Sequence, residues 1–245
     1  MINNVSDREI KELKKIGKYT KNNIKKLQKN YPIQYLIGYV NFYGLKIKVN
    51  KNTLIPRYET EYLVEKTIKY LKQYNFTNPK ILDICTGTGA IGLTLKSELP
   101  NSEVTISDIS RKALKVAKYN KSNLKLEVKI IKSDLFDKIK PEKYDLIISN
   151  PPYVMEDEIL PENVKFEPSL ALFSGKKGID HIEKIFINIK DYLNDKSIVA
   201  LEINEKSKKD LTILIKKYFD KNYIYKFETD LANKTRYLFI FKNIE

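Results

Sequence analysis

At 245 residues, with 42% apolar and 31% charged side chains, the chain has the length for one large α/β domain or a domain with a small appendage, and no stretch approaches the roughly 20 apolar residues of a membrane span. One cysteine, Cys85, excludes an internal disulfide framework and suits a reducing cytoplasm; with only one histidine, His181, beside it, a soft-ligand zinc centre is excluded and no metal is expected. The net charge of +14 suggests an acidic partner or nucleic acid, yet 41 of the 45 basic residues are Lys, which together with many Asn and Ile also fits a compositional bias with no dedicated basic surface.

The first residues, "MINNVSDREIKELKK", lack the apolar run of a secretory signal. Residues 6–29 place Ile10, Leu13, Ile16, Ile24 and Leu27 at helical spacing, with Ser6 or Asp7 as N-cap, and predict one or two short basic helices. Residues 31–56 read as β-like, with Gly44 turning a hairpin of "VNFYG" and "LKIKVN". Residues 59–74 form an amphipathic helix pattern. From residue 80 strands and helices alternate: "KILDIC", "SEVTISDI", "KLEVKIIKSD", "YDLIIS" and "KSIVALEI" are strands, with helices over 90–99, 111–123, 179–193 and 206–219. Two last strands, "YIYKFETD" and "TRYLFIFK", have only a turn around "LANK" between them. The pattern predicts an α/β fold with a doubly wound, mostly parallel seven-stranded sheet and an antiparallel final strand pair, preceded by a short helical segment and a β-hairpin. The expected divisions are 1–30, 31–56 and 57–245.

Two loops carry chemistry. In "LDICTGTGAIGL", Gly87, Gly89 and Gly92 spell G-x-G-x-x-G between a strand and a helix, where backbone approaches a ligand closely. Asp108 ends the next strand, placed to accept hydrogen bonds from ribose hydroxyls. NAD, FAD and S-adenosylmethionine all fit such a turn. Asp83, just before the glycines, would repel a pyrophosphate and attract a sulfonium with its ammonium group, and the antiparallel strand pair departs from the dinucleotide pattern; both favour S-adenosylmethionine.

The second loop, "SNPPYV", follows the fourth strand of the sheet. In a doubly wound sheet the first and fourth strands flank the point where strand order reverses, so Asn150 and the glycine loop face one crevice. The Asn150 carboxamide oxygen and a neighbouring main-chain carbonyl can accept both hydrogens of a planar NH2 group. That arrangement aims the nitrogen at a methyl donor and opposes delocalisation of its lone pair. Tyr153 can stack on the planar group. No general base is needed before transfer.

The combination "LDICTGTGAIGLTL", "SDIS", "SDLF" and "SNPPYV" resembles class I, Rossmann-like N-methyltransferases acting on planar nitrogens. "PIQYLIGYVNFYGLKIKVNKNTLIPRYETEYLVE", "VKFEPSLALFSGKKGIDHIEKI" and "TDLANKTRYLFI" narrow the resemblance, over about residues 31–242, to the release-factor glutamine methyltransferase family, HemK/PrmC. The resemblance implies methylation of the side-chain amide of the glutamine in the Gly-Gly-Gln motif of peptide chain release factors, in the cytoplasm, by a monomer. It implies that Cys85, Thr86, Gly87, Thr88 and Gly89 hold the cofactor with Asp108 on the ribose, that Leu135 lies where the family often sets an aromatic against the adenine, and that Asn150, Pro151, Pro152 and Tyr153 hold the glutamine. Arg57 and residues 59–61 lie in a family motif near the crevice, with no role assigned. The chain departs from the family in having Cys85 where Gly is common, Leu135 where an aromatic is common, and about 30 residues ahead of the hairpin where the family has a substrate-docking domain of several helices; residues 1–30 are thus expected to be a reduced form of it.

Two other readings remain open on the residues. The same chemistry could serve a ribosomal-protein glutamine or an exocyclic amino group of a nucleic-acid base, to which the charge lends weight; or the chain could be a binding module with a degenerate pocket. His181 reads as a surface or packing residue, and the Lys-rich helices as solvated faces able to attract an acidic release factor.

Overall fold

The computed structural model describes residues 5–244. Ser6 caps the first helix, α1 (Asp7–Lys15), through a capping box with Glu9, and Thr20 caps α2 (Lys21–Leu27). A third short helix, α3 (Ile33–Ile37), replaces the first part of the β-like stretch expected over 31–56. "IQYLI" has strand-forming residues, but Pro32 presets the first turn and Gly38, at φ 94°, closes the last in a left-handed cap. The three helices meet on Leu13, Leu27 and Leu36.

The hairpin follows as expected, with β1 (Tyr39–Phe42) antiparallel to β2 (Leu45–Lys48). Its two-residue turn has positive φ at both Tyr43 (48°) and Gly44 (78°), the twist that antiparallel strands favour. Phe42 and Ile47 sink into the main core. Asn120 ties the hairpin down: its Oδ1 accepts the Lys48 N–H at 2.8 Å, and its Nδ2 donates to the Thr88 carbonyl at 2.9 Å.

The main sheet contains β3 (Lys80–Ile84), β4 (Glu103–Asp108), β5 (Lys129–Lys132), β6 (Tyr144–Ser149), β7 (Leu193–Glu202), β8 (Tyr223–Thr229) and β9 (Thr235–Lys242), in the spatial order β5-β4-β3-β6-β7-β9-β8. The first five are parallel; β9 runs antiparallel to both neighbours and slots between β7 and β8. Period-two patterning divides the core. Ile81, Leu146, Ile148, Ile198, Ala200, Phe239 and Phe241 face α4 (Tyr58–Gln73), α5 (Ala90–Glu98) and α6 (Arg111–Leu124). Leu82, Ile84, Ile147, Val199, Leu201, Leu238 and Ile240 face α7 (Asp180–Asn188) and α8 (Lys208–Tyr218). The chain runs outward from β3 through β4 to β5, then returns to β6 on the other side of β3. The loops after β3 and β6 therefore leave the sheet side by side, at the strand-order reversal that opens a crevice. Among the described residues, no helix is long and apolar enough to cross a membrane.

Candidate active site

The glycine loop is built around a buried carboxylate. Cys85, Gly87 and Gly89 all have left-handed backbones, at φ 59°, 56° and 83°, and fold the chain back over Asp83. Asp83 Oδ2 accepts the Thr86 hydroxyl and, at 2.9 Å, the N–H of Gly92 in the first turn of α5. Asp83 is fully buried; burial pushes its carboxyl up to about 7 against the lowering effect of those two hydrogen bonds. Its Oδ1 has no hydrogen-bond partner among the described residues. Asp83 is thus fully buried beneath the loop, outside the cavity wall, where its side chain shapes the loop in place of the direct ligand contact expected from sequence.

Above the loop is a cavity of about 250 Å³. Cys85, Thr86, Gly87 and Thr88 line it; Gly89 stands behind them as the cap of α5. Burial among acidic neighbours raises the Cys85 thiol well above its ordinary value, so it is held as an inert thiol. Asp108, at the end of β4, reaches the same cavity, with Oδ2 accepting Gly87 N–H at 2.9 Å and Oδ1 accepting Ser110 N–H at 2.7 Å. Two backbone donors hold this carboxylate in place, and each oxygen keeps a lone pair for another donor. Leu135, on the turn after β5 with φ 40°, closes one side.

These residues fit S-adenosylmethionine. A pinned carboxylate suits a ribose diol, and an added Cβ at Gly87 would meet no atom within 4 Å, so backbone is bare on the cavity side. The groups set around the glycine turn are carboxylates, one with an orphaned oxygen, which favours a cationic centre and opposes a pyrophosphate.

Asn150 and Pro152 line the same cavity. Asn150 Nδ2 donates to Thr60 Oγ1 at 3.2 Å; the Thr60 hydroxyl donates to Glu202 Oε2 at 2.7 Å. Tyr153 donates its hydroxyl to the other oxygen, Oε1, at 2.8 Å. Glu202, the last residue of β7, is 1% exposed, and burial raises its pKa while Thr60, Tyr153 and Arg236 oppose the rise. Pro151 and Tyr153 are not part of the cavity wall, and the Tyr153 hydroxyl is turned toward the interior onto Glu202.

Leu54 and Pro56 from one segment and Pro168 and Leu170 from another also line the cavity. Glu167 latches the two segments together, pairing with Arg57 and accepting the Ile55 N–H at 2.9 Å. This gives Arg57 a place in the geometry that its motif alone did not reveal. His181 and Lys184, from successive turns of α7, also line the cavity. His181 is half-buried with Nδ1 2.8 Å from Ser174 Oγ, and burial followed by the Lys184 charge lowers its pKa. Its packing role stands, but it packs at the site. Sequence reasoning placed Thr60 near the crevice without a role and missed Glu202; the available signal for Glu202 was an acidic residue ending the apolar run "SIVALE", at the same sheet edge as Asn150. Among the described residues, no cluster of three or more His, Cys, Asp or Glu is placed to hold a metal.

Comparison with known proteins gives three findings. Residues 60–165 match the methyltransferase small domain family (MTS). The chain is 40% identical over 213 residues to the release factor glutamine methyltransferase of Fusobacterium nucleatum, covering 85% of this chain and 59% of that protein, and 39% identical over 218 residues to that of Clostridium botulinum, covering 86% and 76%. The chain spans about three fifths of the length of the first relative and three quarters of the second. A methyltransferase structure from Pyrococcus furiosus superposes with a TM-score of 0.60 at 22% identity, covering 83% of this chain and 91% of that one, which establishes the shared fold.

Proposed function

The chain belongs to the release factor glutamine methyltransferase family, and from that premise we propose that it transfers a methyl group from S-adenosylmethionine to the side-chain nitrogen of the Gly-Gly-Gln glutamine of peptide chain release factors. The observation that carries the reading is one cavity lined both by a pinned carboxylate with the glycine loop and by the Asn150 carboxamide.

S-adenosylmethionine, when bound, supplies an electrophilic methyl group on a cationic sulfur. Residues 85–89 and Asp108 would hold it, with Leu135 on the wall beside them. Asn150 Oδ1 and a neighbouring main-chain carbonyl accept the two N–H bonds of the glutamine carboxamide, and Pro152 bounds the slot they leave. An amide nitrogen is a poor nucleophile because its lone pair is shared with the carbonyl. Two acceptors on its hydrogens weaken that sharing and favour the positive charge that grows on nitrogen. Holding the nitrogen in one orientation within the cavity would convert an encounter in solution into a step within one complex. Methylation would leave this nitrogen carrying one proton too many, and that acidic proton would pass to water. Latching of the two cavity-lining segments by Arg57 and Glu167 keeps them in register.

The test is methyl transfer from tritiated S-adenosylmethionine to a release factor, to its Gly-Gly-Gln variant with Gln→Ala, and to total RNA and DNA. Label on the wild-type factor alone is expected; label on nucleic acid or on the Gln→Ala factor overturns the reading. Asn150→Ala should lower turnover by about 100-fold or more with cofactor affinity nearly unchanged.

A further inference from the structure

We propose that Thr60 and Glu202 are positioning residues that set which end of the Asn150 carboxamide faces the cavity; the inference rests on the reading of Asn150 given above. A carboxamide can present its oxygen or its NH2 with almost the same shape, and the difference decides whether it accepts or repels the hydrogens of a substrate amide. In this fold the choice is made by proton counting.

Glu202 is buried at the carboxyl end of β7, and its two oxygens receive one hydroxyl each, from Thr60 at 2.7 Å and Tyr153 at 2.8 Å. A carboxylate accepts and cannot donate. Thr60 has one hydroxyl proton, and Glu202 takes it. Thr60 Oγ1 can then only accept, and the group opposite it at 3.2 Å is Asn150 Nδ2. The reverse orientation would press Oδ1 against Oγ1 with no proton between them, in a buried setting where such a pair is not relieved by water. Asn150 is thereby turned with its NH2 inward, leaving Oδ1 free for the cavity that Asn150 lines. The same carboxylate also holds Tyr153, so both ends of the Asn-Pro-Pro-Tyr loop are tied to one buried charge. Three elements contribute: the first turn of α4, the loop after β6 and the end of β7.

The experiment compares Thr60→Val, Thr60→Ser and Glu202→Gln with wild type in methyl transfer to release factor, with S-adenosylmethionine affinity measured by calorimetry on each. Gln at 202 can donate to Thr60 Oγ1, which frees the Thr60 proton for Asn150 and lets the carboxamide turn over. Thr60→Val and Glu202→Gln should each lose about 10–100-fold in kcat, with cofactor Kd within about twofold of wild type, while Thr60→Ser recovers most of what Thr60→Val loses. Equal loss in Thr60→Ser and Thr60→Val, or full turnover in Glu202→Gln, overturns the inference. If Thr60→Val fails to bind cofactor through misfolding, the contrast of Glu202→Gln with Thr60→Ser decides. Inactive Asn150→Ala beside fully active Thr60→Val removes this inference and leaves the reading of Asn150 standing; a fully active Asn150→Ala removes that reading itself.

Discussion

Gly92 offers a test in which two physical effects predict opposite signs. It sits in the first turn of α5, so replacing it with Ala should stabilise the helix by about 1 kcal/mol on propensity alone. The packing says otherwise. A Cβ at Gly92 would lie 2.3 Å from Ile106 Cγ2, on a fully buried residue of β4, and 3.0 Å from Asp83 Oδ2. Carbon atoms in contact sit roughly 3.5–4.0 Å apart, so α5 must back away from the sheet by more than about 1 Å. Overpacking of this kind costs about 1–3 kcal/mol, and here the clash is with a stiff β-branched side chain, which puts it at the upper end. The net is a destabilisation of about 2 kcal/mol, which for a domain of this size lowers Tm by about 4–8 °C. Thermal unfolding by circular dichroism measures it. A Tm equal to or above wild type would refute the claim that close helix–sheet approach, and not turn geometry, requires glycine at this position. Gly87→Ala is the contrasting case: its Cβ meets nothing within 4 Å, its left-handed backbone costs about 1–2 kcal/mol, and the added methyl enters cavity space. Its main effect should be a loss of cofactor affinity.

The remaining predictions concern the two carboxylates by the glycine loop. Asp108→Asn should weaken S-adenosylmethionine binding by about 10–100-fold in calorimetry, the worth of charge-assisted hydrogen bonds; unchanged affinity would remove Asp108 from the ribose. For Asp83, burial raises the carboxyl from 3.8 to about 7, so the cofactor-free folded protein holds this proton more tightly than the unfolded chain. The stabilising contribution is complete below the unfolded value and is lost as pH rises through about 7. Relative to Asp83→Asn, wild type should therefore lose roughly 4 kcal/mol between pH 4 and pH 8 in denaturant unfolding; parallel pH profiles would refute the burial argument.

Much of the architecture was legible because it rests on local periodicity. "YDLIIS" has the apolar run and polar boundaries of a buried strand and forms β6 over Tyr144–Ser149. The pairing of the last two strands followed from the lack of a helix between them. "IQYLI" misled because its β-branched and aromatic residues favour strand, while Pro32 and Gly38, at opposite ends of a five-residue turn, outweighed them. The site divides in the same way. Gly87, Asp108 and Asn150 were readable because each is fixed by its place at a strand end. Asp83 and Tyr153 were assigned to a ligand on residue type, yet each spends its polar atoms on the protein interior, which depends on neighbours remote in the chain. Glu167 and Glu202 were missed, Thr60 was set near the crevice without a role, and His181 was read only as a surface or packing residue, for that reason: each gains its meaning from a partner or a cavity wall that only the tertiary fold supplies.

The position of β9 has a consequence for synthesis. Residues 235–242 are the last of the sheet to be made, yet they lie between β7 and β8 and supply the interior residues Tyr237, Leu238, Phe239 and Ile240. Until they leave the ribosome, the edge of β7 stays open, with Ile198, Val199, Ala200 and Leu201 along it, and β8 has no strand to join. Vectorial folding can therefore complete the half of this domain that carries the glycine loop early, whereas the half that buries Glu202 and anchors Asn150 must wait for the final strand.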